Sequence, residues 1–384
     1  MNTKQKDQQY VAHTYRRFPV EIVRGQGSEV FDETGKRYID LGSGIGVTSF
    51  GVADPLWKEA VVAQLDQVQH MSNLYYTRPC ADLAALLCQR TGMAKVFFSN
   101  SGAEANECAI KAVRKYQAEH RGKDCAVIIT LKNSFHGRTL TTLAATGQDH
   151  YHELFQPLTP GFLSLDPEEI PLLEDTSRVA GILIECIQGE GGVIALPAET
   201  LRRIEAFARE REILLMVDEV QTGNGRTGQL YAYMHYGLQP DVVSTAKGLS
   251  GGLPLGATLL SEKLQDTLGY GDHGSTFGGN PVSCAAALSV LSRIDEPLLR
   301  SVREKGDWIA GRLRQAPGVK SVSGLGLMVG IETEKPAGQV VAAALEKGVL
   351  CLTAKEKVRL LPALNIPWDV LKEAVEILCT CIAE

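Results

Sequence analysis

Three short stretches place polar chemistry at the ends of apolar runs. In "STAKGLSGGLPLGA" (244–257), Lys247 is the only charged side chain between Asp241 and Glu262. A free lysine has a pKa of roughly 10.4. Desolvation and nearby positive charge favour its neutral amine, which can attack a carbonyl and form a Schiff base. The competing reading is a lysine snorkelling from an apolar strand end. Asp218 closes the run "ILLMVD" (213–218), where a carboxylate is costly to bury without a partner. A cationic ring nitrogen would be one partner, and backbone N–H groups of a nearby loop another. Ser101, Gly102 and Ala103 follow "KVFFS" (95–99) at the start of a helical pattern. Glycine there lets an anion approach backbone N–H groups, and the helix dipole favours a phosphate. Ser101 with Glu104 also reads as a plain helix cap. A phosphate seat, a partner for a ring cation and a dry lysine for an aldehyde jointly fit pyridoxal 5'-phosphate.

A rival exists. "GNGRTG" (223–228) satisfies GxGxxG after a strand, as a nicotinamide-dependent dehydrogenase would need. However, Asp218 and Glu219 precede the glycines, and Asp241 comes thirteen residues after Gly228 rather than about twenty. No helical pattern opens there. His150 and His152 flank Tyr151 without a Cys or further His nearby, so they read as a surface loop rather than a metal site, and no metal is expected.

Alternating patterns position these residues. Strands are expected at 95–99, 125–130, 179–185, 213–219, 241–246 and 256–261, with helices at 55–68, 103–120, 199–212, 281–294 and 297–315. Continuous Val/Ile/Leu runs suit a sheet buried on both faces. The alternation argues an α/β fold with a mostly parallel central sheet. The opening residues to about 25 read as a polar, extended arm, 28–44 as two short strands around "DETGK", and 320–384 as β, α, β, α. The expected units are an arm (1–45) joining the small domain, a large domain (46–275) and a smaller C-terminal α+β domain (276–384).

The 384 residues suit two domains, and a net charge of -6 without a Lys/Arg-rich block disfavours nucleic acid as a partner. Nine dispersed cysteines without a CxxC pair read as reduced thiols of a cytoplasmic protein. The polar N-terminus lacks a signal-peptide pattern, and no apolar run is long enough for a membrane span.

Longer segments resemble the class III aminotransferases, which are fold-type I pyridoxal-phosphate enzymes, and most closely their acetylornithine branch. They include "FFSNSGAEANECAIKAVRKY", "FHGRTLTTLAATGQ", "IQGEGGV", "VDEVQTGNGRTG", "TAKGLSGGLPLGA" and "STFGGNPVSCAAAL". The resemblance implies that Lys247 is the Schiff-base lysine and Asp218 the partner of the pyridine nitrogen. It implies Phe135 and Val220 on the two ring faces, Gln221 near the ring hydroxyl, and Ser101, Gly102 and Ala103 as the phosphate loop. Ser275 and Thr276 would reach the phosphate in a neighbouring subunit, which implies a homodimer with shared active sites. Arg138 and Arg359 match carboxylate-binding arginines, whose guanidinium groups donate paired hydrogen bonds. Glu190 matches an acid that shields Arg359 when a substrate with a neutral or cationic far end binds and releases it for glutamate. Tyr15 matches a tyrosine that holds the substrate α-carboxylate.

The implied reaction moves the terminal amino group of N-acetylornithine to 2-oxoglutarate, giving N-acetylglutamate semialdehyde and glutamate in arginine biosynthesis. Ornithine, succinylornithine and 4-aminobutyrate are alternative donors that share these residues. Two segments depart from the family pattern: "GVADP" (51–55) stands for GHxHP, and Glu185-Cys186 for Glu-Pro.

Overall fold

The computed structural model describes residues 1–384. The arm opens with a helix rather than an extended strand. In α1 (Thr3–Tyr10) Asn2 accepts from the Gln5 amide while the Gln5 side chain accepts from the Asn2 amide. This reciprocal cap stabilises a helix that has no apolar stripe. Strands β1 (Ile22–Gln26), β2 (Glu29–Asp32) and β3 (Arg37–Asp40) follow as an antiparallel meander. The turn after β2 is tied by Asp32, which accepts from Thr34 and Lys36. A single irregular turn, α2 (Ser43–Gly46), leads to α3 (Pro55–Leu65). Within "GVADP", Asp54 caps α3 at the Trp57 amide and pairs with Arg293 at 2.8 Å. Helix α4 (Arg78–Thr91), which no expectation covered, buries Leu83 and Leu87 and stops at Gly92 with φ 74°.

The chain then alternates through β4 (Lys95–Ser99), α5 (Gly102–His120), β5 (Val127–Leu131), α6 (Leu140–Ala145), β6 (Phe162–Leu165) and β7 (Val179–Ile184). A two-stranded ladder of β8 (Ile187–Gln188) and β9 (Ile194–Ala195) carries the tight turn with Glu190. Next come α7 (Ala198–Glu210), β10 (Leu214–Asp218), β11 (Val242–Thr245) and β12 (Gly256–Leu260). The seven strands form one sheet in the order β4-β12-β11-β10-β7-β5-β6. Its pairs are parallel except that β12 runs against both β11 and β4, so the sheet is mostly parallel. Strands β7 and β10 are buried along their whole length, as their unbroken apolar runs require.

Helices α8 (Pro281–Leu291) and α9 (Glu296–Arg314) lead into the second unit. There β13 (Val319–Leu325) and β14 (Met328–Thr333) form a hairpin, followed by α10 (Ala337–Glu346). Three short strands, β15 (Val349–Leu350), β16 (Leu352–Ala354) and β17 (Lys357–Leu360), precede α11 (Trp368–Ala383). Each expected single strand here is a set of short strands, because tight turns subdivide the apolar runs. β15 pairs with β3, joining the arm to the C-terminal unit.

Packing changes hands within α9, downstream of the expected boundary at 275. Cys284, Ala287, Val290 and Leu299 belong to the large core, and Val302 and Ile309 to the small one. The "GNGRTG" segment opens no helix; it is a run of turns. Its Arg226 is 2% exposed and donates to the carbonyls of Leu327 and Pro362, bridging the two cores. All nine cysteines are free, and seven are buried. No helix is long and apolar enough to cross a membrane.

Candidate active site

Open α/β sheets gather ligand-binding groups beyond the carboxyl ends of their strands. Here that edge holds a cavity of about 460 Å³. Asn100–Ala103 reach it from β4, Phe135–Arg138 from β5, Glu185 and Glu190 from β7 and the following ladder, Asp218, Val220 and Gln221 from β10, and Lys247 from β11.

Lys247 follows the buried Ala246 and has φ 47°, in the left-handed region that a side chain adopts only at some cost. Burial lowers its pKa, and the carboxylates of Glu190 and Asp218 oppose the fall. The amine therefore lies closer to its neutral, nucleophilic form than a surface lysine.

Asp218 is 4% exposed. Its Oδ2 accepts from His136 Nδ1 and Asn106 Nδ2, both at 2.8 Å, and its Oδ1 accepts from the Val220 amide at 2.9 Å. Asn106 also donates to the His136 carbonyl and accepts from Ser244 Oγ. Asp218 thus ties the following loop and also lines the cavity.

Ser101 caps α5 by accepting from the Glu104 amide at 3.2 Å, while Glu104 accepts from the Asn100 amide. The capping geometry is therefore present. The next amides, of Gly102 and Ala103, lie in the first turn, where no intrahelical acceptor exists. A Cβ on Gly102 would come within 2.6 Å of the Val220 side chain, so this cradle has room only for glycine.

Arg359 comes from β17 of the small unit and stands behind the cavity wall. It is 3% exposed, pairs with Glu190 through Nη1, and donates to Gln221 Oε1 at 3.0 Å. Gln221 in turn donates to Glu190 at 3.2 Å. Burial pushes the Glu190 carboxyl up, but the charge and hydrogen bond of Arg359, the Lys247 charge and the Gln221 hydrogen bond together outweigh it and leave the pKa lowered. Arg138 is exposed at the cavity mouth, with its guanidinium over the Tyr151 ring.

The structure thus brings together Lys247, Asp218, Ser101, Gly102, Ala103, Phe135, Val220, Gln221, Arg138 and Glu190 on the cavity wall, with Arg359 behind Glu190. Three expected residues lie elsewhere in the single chain. Tyr15 is 75% exposed on the arm. Ser275 bonds Asn100 Nδ2 at 3.2 Å and the Gly278 amide, and Thr276 is exposed beside it. Neither lines the cavity.

Three residues of the site had no assigned role. Asn106 and His136 orient Asp218. Glu185 is buried and accepts from the Phe135 and Gly189 amides at 2.8 and 3.1 Å. Burial pushes its carboxyl up to about 7. Each stands within "ANECAI", "FHGRT" or "IECIQGE", but nothing in the letters distinguishes a buried polar side chain from a solvated one.

The donor set fits pyridoxal phosphate, with an enclosed amine, an oriented carboxylate and a glycine-floored helix terminus on one wall. A nicotinamide site at "GNGRTG" does not fit, because those turns pack between the two cores.

Comparison with known proteins agrees. Residues 10–382 match the family described as Aminotransferase class-III. The chain is 49% identical to an acetylornithine aminotransferase from Haemophilus ducreyi, over 99% of this chain and 98% of that protein. The fold superimposes on the ornithine aminotransferase of Toxoplasma gondii ME49 with a TM-score of 0.95 at 31% identity, covering 99% of this chain and 94% of that one. A further T. gondii ornithine aminotransferase structure has PLP in partial occupancy at its active site; its TM-score is 0.92 at 31% identity, with 99% and 93% coverage.

Proposed function

We propose a substrate from one premise: the chain belongs to the class III aminotransferase family. The terminal amino group of N-acetylornithine is transferred to 2-oxoglutarate, a step of arginine biosynthesis in the cytoplasm. The likeness to the H. ducreyi acetylornithine aminotransferase supports the donor. The observation that carries the reading is the pairing of Arg359 with Glu190 beside Lys247. A terminal amine has no carboxylate on its reacting carbon. Glu190 then supplies the negative charge that the buried guanidinium needs. The α-carboxylate of glutamate displaces it, so one cavity serves both substrates.

Pyridoxal phosphate, when bound, supplies an aldehyde that captures the amine and a protonated ring that accepts electrons. Lys247 would hold the cofactor through its aldehyde, and its free amine would serve as the base and acid that moves the proton at the substrate's reacting carbon. Asp218 holds the ring nitrogen protonated, and its own geometry is held by His136 and Asn106. Phe135 and Val220 would hold the cofactor's ring between them, Gln221 would bind its hydroxyl, and the amides of Ser101, Gly102 and Ala103 would receive its phosphate. Arg138, with Tyr15 of the arm, takes the far carboxylate of the donor.

A homodimer completes the site. Leu74, Tyr75, Tyr76, Tyr270 and Phe277 are all more than half exposed. Asn73 ties their two segments together by donating to the Ser275 and Gly278 carbonyls. Exposed apolar residues on two tied segments are the mark of an interface, and Ser275 and Thr276 on the second segment would reach a second copy's phosphate. Light scattering of the purified protein should return twice the mass of one chain.

The decisive experiment is a donor panel with 2-oxoglutarate as acceptor. N-acetylornithine should have the highest kcat/KM among itself, ornithine, succinylornithine and 4-aminobutyrate. Turnover of 4-aminobutyrate equal to or above that of N-acetylornithine would overturn the donor assignment and leave the transaminase class intact.

A further inference from the structure

Arg138 makes neither a hydrogen bond nor an ion pair with any other group in the chain. Its guanidinium carbon lies 4.2 Å from the centre of the Tyr151 ring and 5.6 Å from that of Phe135. The two rings meet edge to face at 5.8 Å. An exposed arginine normally samples many rotamers, and fixing it costs up to about 2 kcal/mol of side-chain entropy. A carboxylate ion pair would fix it but would also consume the N–H donors. An aromatic face holds the guanidinium through its plane and leaves the edge donors free.

The ring itself is anchored. Tyr151 ends a short 3-10 turn (Asp149–Tyr151) and is half-buried. Just before it, Gln148 is buried and donates to the carbonyls of Asn133 and Ser134, on the loop that leads to Phe135. Just after it, His152 Nε2 lies 2.8 Å from the Leu143 carbonyl in α6. Tyr151 is thus pinned from both sides to the segment that carries Arg138.

We propose that Tyr151 is a positioning residue for the substrate carboxylate, acting through Arg138 by presenting an aromatic face that sets the guanidinium plane. The ligand class is a carboxylate at the far end of the amino donor, or the distal carboxylate of 2-oxoglutarate. The inference rests on the proposed role of Arg138, and holds for whichever donor of the panel is preferred.

The test uses purified holoenzyme with Tyr151→Phe, Tyr151→Leu and Tyr151→Met, each alone and with Arg138→Ala. Cation–π contacts are worth enough to change binding roughly 2- to 30-fold. Tyr151→Phe keeps the face and should stay within about twofold of wild type in every constant. Tyr151→Leu and Tyr151→Met should raise KM for the donor and for 2-oxoglutarate roughly 3- to 30-fold, with kcat within about threefold. The inhibition constant of glutarate, a dicarboxylate without a reacting group, should rise in step. In the Arg138→Ala background the same changes should add nothing, because the ring then has no guanidinium to hold.

Three results would overturn the proposal: an unchanged KM in Tyr151→Leu and Tyr151→Met, a Tyr151→Phe defect as large as theirs, or full additivity with Arg138→Ala. Tyr151→Met keeps the bulk of the site, so a folding failure of Tyr151→Leu alone does not remove the test. A wrong donor assignment shows in the wild-type panel, whereas a wrong role for Tyr151 shows only in these ratios.

Discussion

Replacing Gly102 by alanine tests the cofactor cradle with a single methyl group. The new Cβ would stand 2.6 and 2.8 Å from the two Val220 methyls and 3.3 Å from the Val220 Cβ. Ordinary contact begins at 3.4 Å, so one side must retreat by 3.4 − 2.6, or 0.8 Å. Val220 cannot yield freely, because its amide is hydrogen-bonded to Asp218 Oδ1 at 2.9 Å. A retreat of Val220 would drag the Asp218 carboxylate on the cavity wall, and a retreat of Gly102 would shift the first amides of α5. The apoprotein relieves such overpacking by the shift, and cofactor binding must reverse it at a cost of about 1–3 kcal/mol, or roughly 5- to 150-fold in affinity. The assay is titration of the apoenzyme with pyridoxal phosphate, followed by protein fluorescence. Gly102→Ala should bind within that range more weakly, and Val220→Ala in the same chain should restore most of the loss. An affinity within about twofold of wild type, or no rescue by the second change, would refute the geometry argued here.

Three further outcomes follow from the site. Lys247→Ala should lower kcat by roughly 10²- to 10⁴-fold, the range of general acid–base catalysis, and borohydride should no longer fix the cofactor to the chain. Glu190→Gln should lower KM for 2-oxoglutarate by roughly tenfold, because Arg359 loses its internal counter-charge; steady-state kinetics with both substrates checks this. Glu219, fully buried behind Asp218, is pushed up by burial to about 7 from 4.5. The folded state therefore holds a proton that the unfolded state has released between these values, and stability falls as pH rises from 4.5 to about 7. Glu219→Gln can keep the bonds to Thr222 and the Tyr233 amide. It should gain on the order of 3 kcal/mol over wild type at about pH 8 and nothing at about pH 4, read from urea unfolding.

Much of the fold is legible in the sequence because its signals are local. Unbroken apolar runs mark β7 and β10, and Asp218, which ends the second, marks the site edge. What escapes is set by partners distant in the chain. α1 has no apolar stripe, so periodicity misses it, although Asn2 and Gln5 spell its cap. α4 carries Leu83 and Leu87 at helical spacing, and its meaning comes from packing on α8. β12 runs against its neighbours, which no feature of "GATLL" dictates. Lys247 and Asp218 stand out as charges closing dry runs. Asn106 and His136 do not, because their polar side chains are satisfied by groups 30 to 112 positions away; Glu185 closes β7 as Asp218 closes β10, but its role rests on the Phe135 and Gly189 amides it accepts from. The departure at "GVADP" also has a local account: Asp54 is both the cap of α3 and the partner of Arg293.

The bridge made by Arg226 has a consequence for selectivity. Arg138 belongs to the sheet unit and Arg359 to β17 of the C-terminal unit. On the proposed reading these are the two marks of a molecular ruler that spans a five-carbon dicarboxylate. A ruler whose ends sit on separate cores is only as constant as the joint between them. Arg226 clamps that joint at Leu327 and Pro362, the latter three residues beyond Arg359. Loosening the clamp would blur chain-length discrimination before it abolished chemistry, from a position that never touches the substrate.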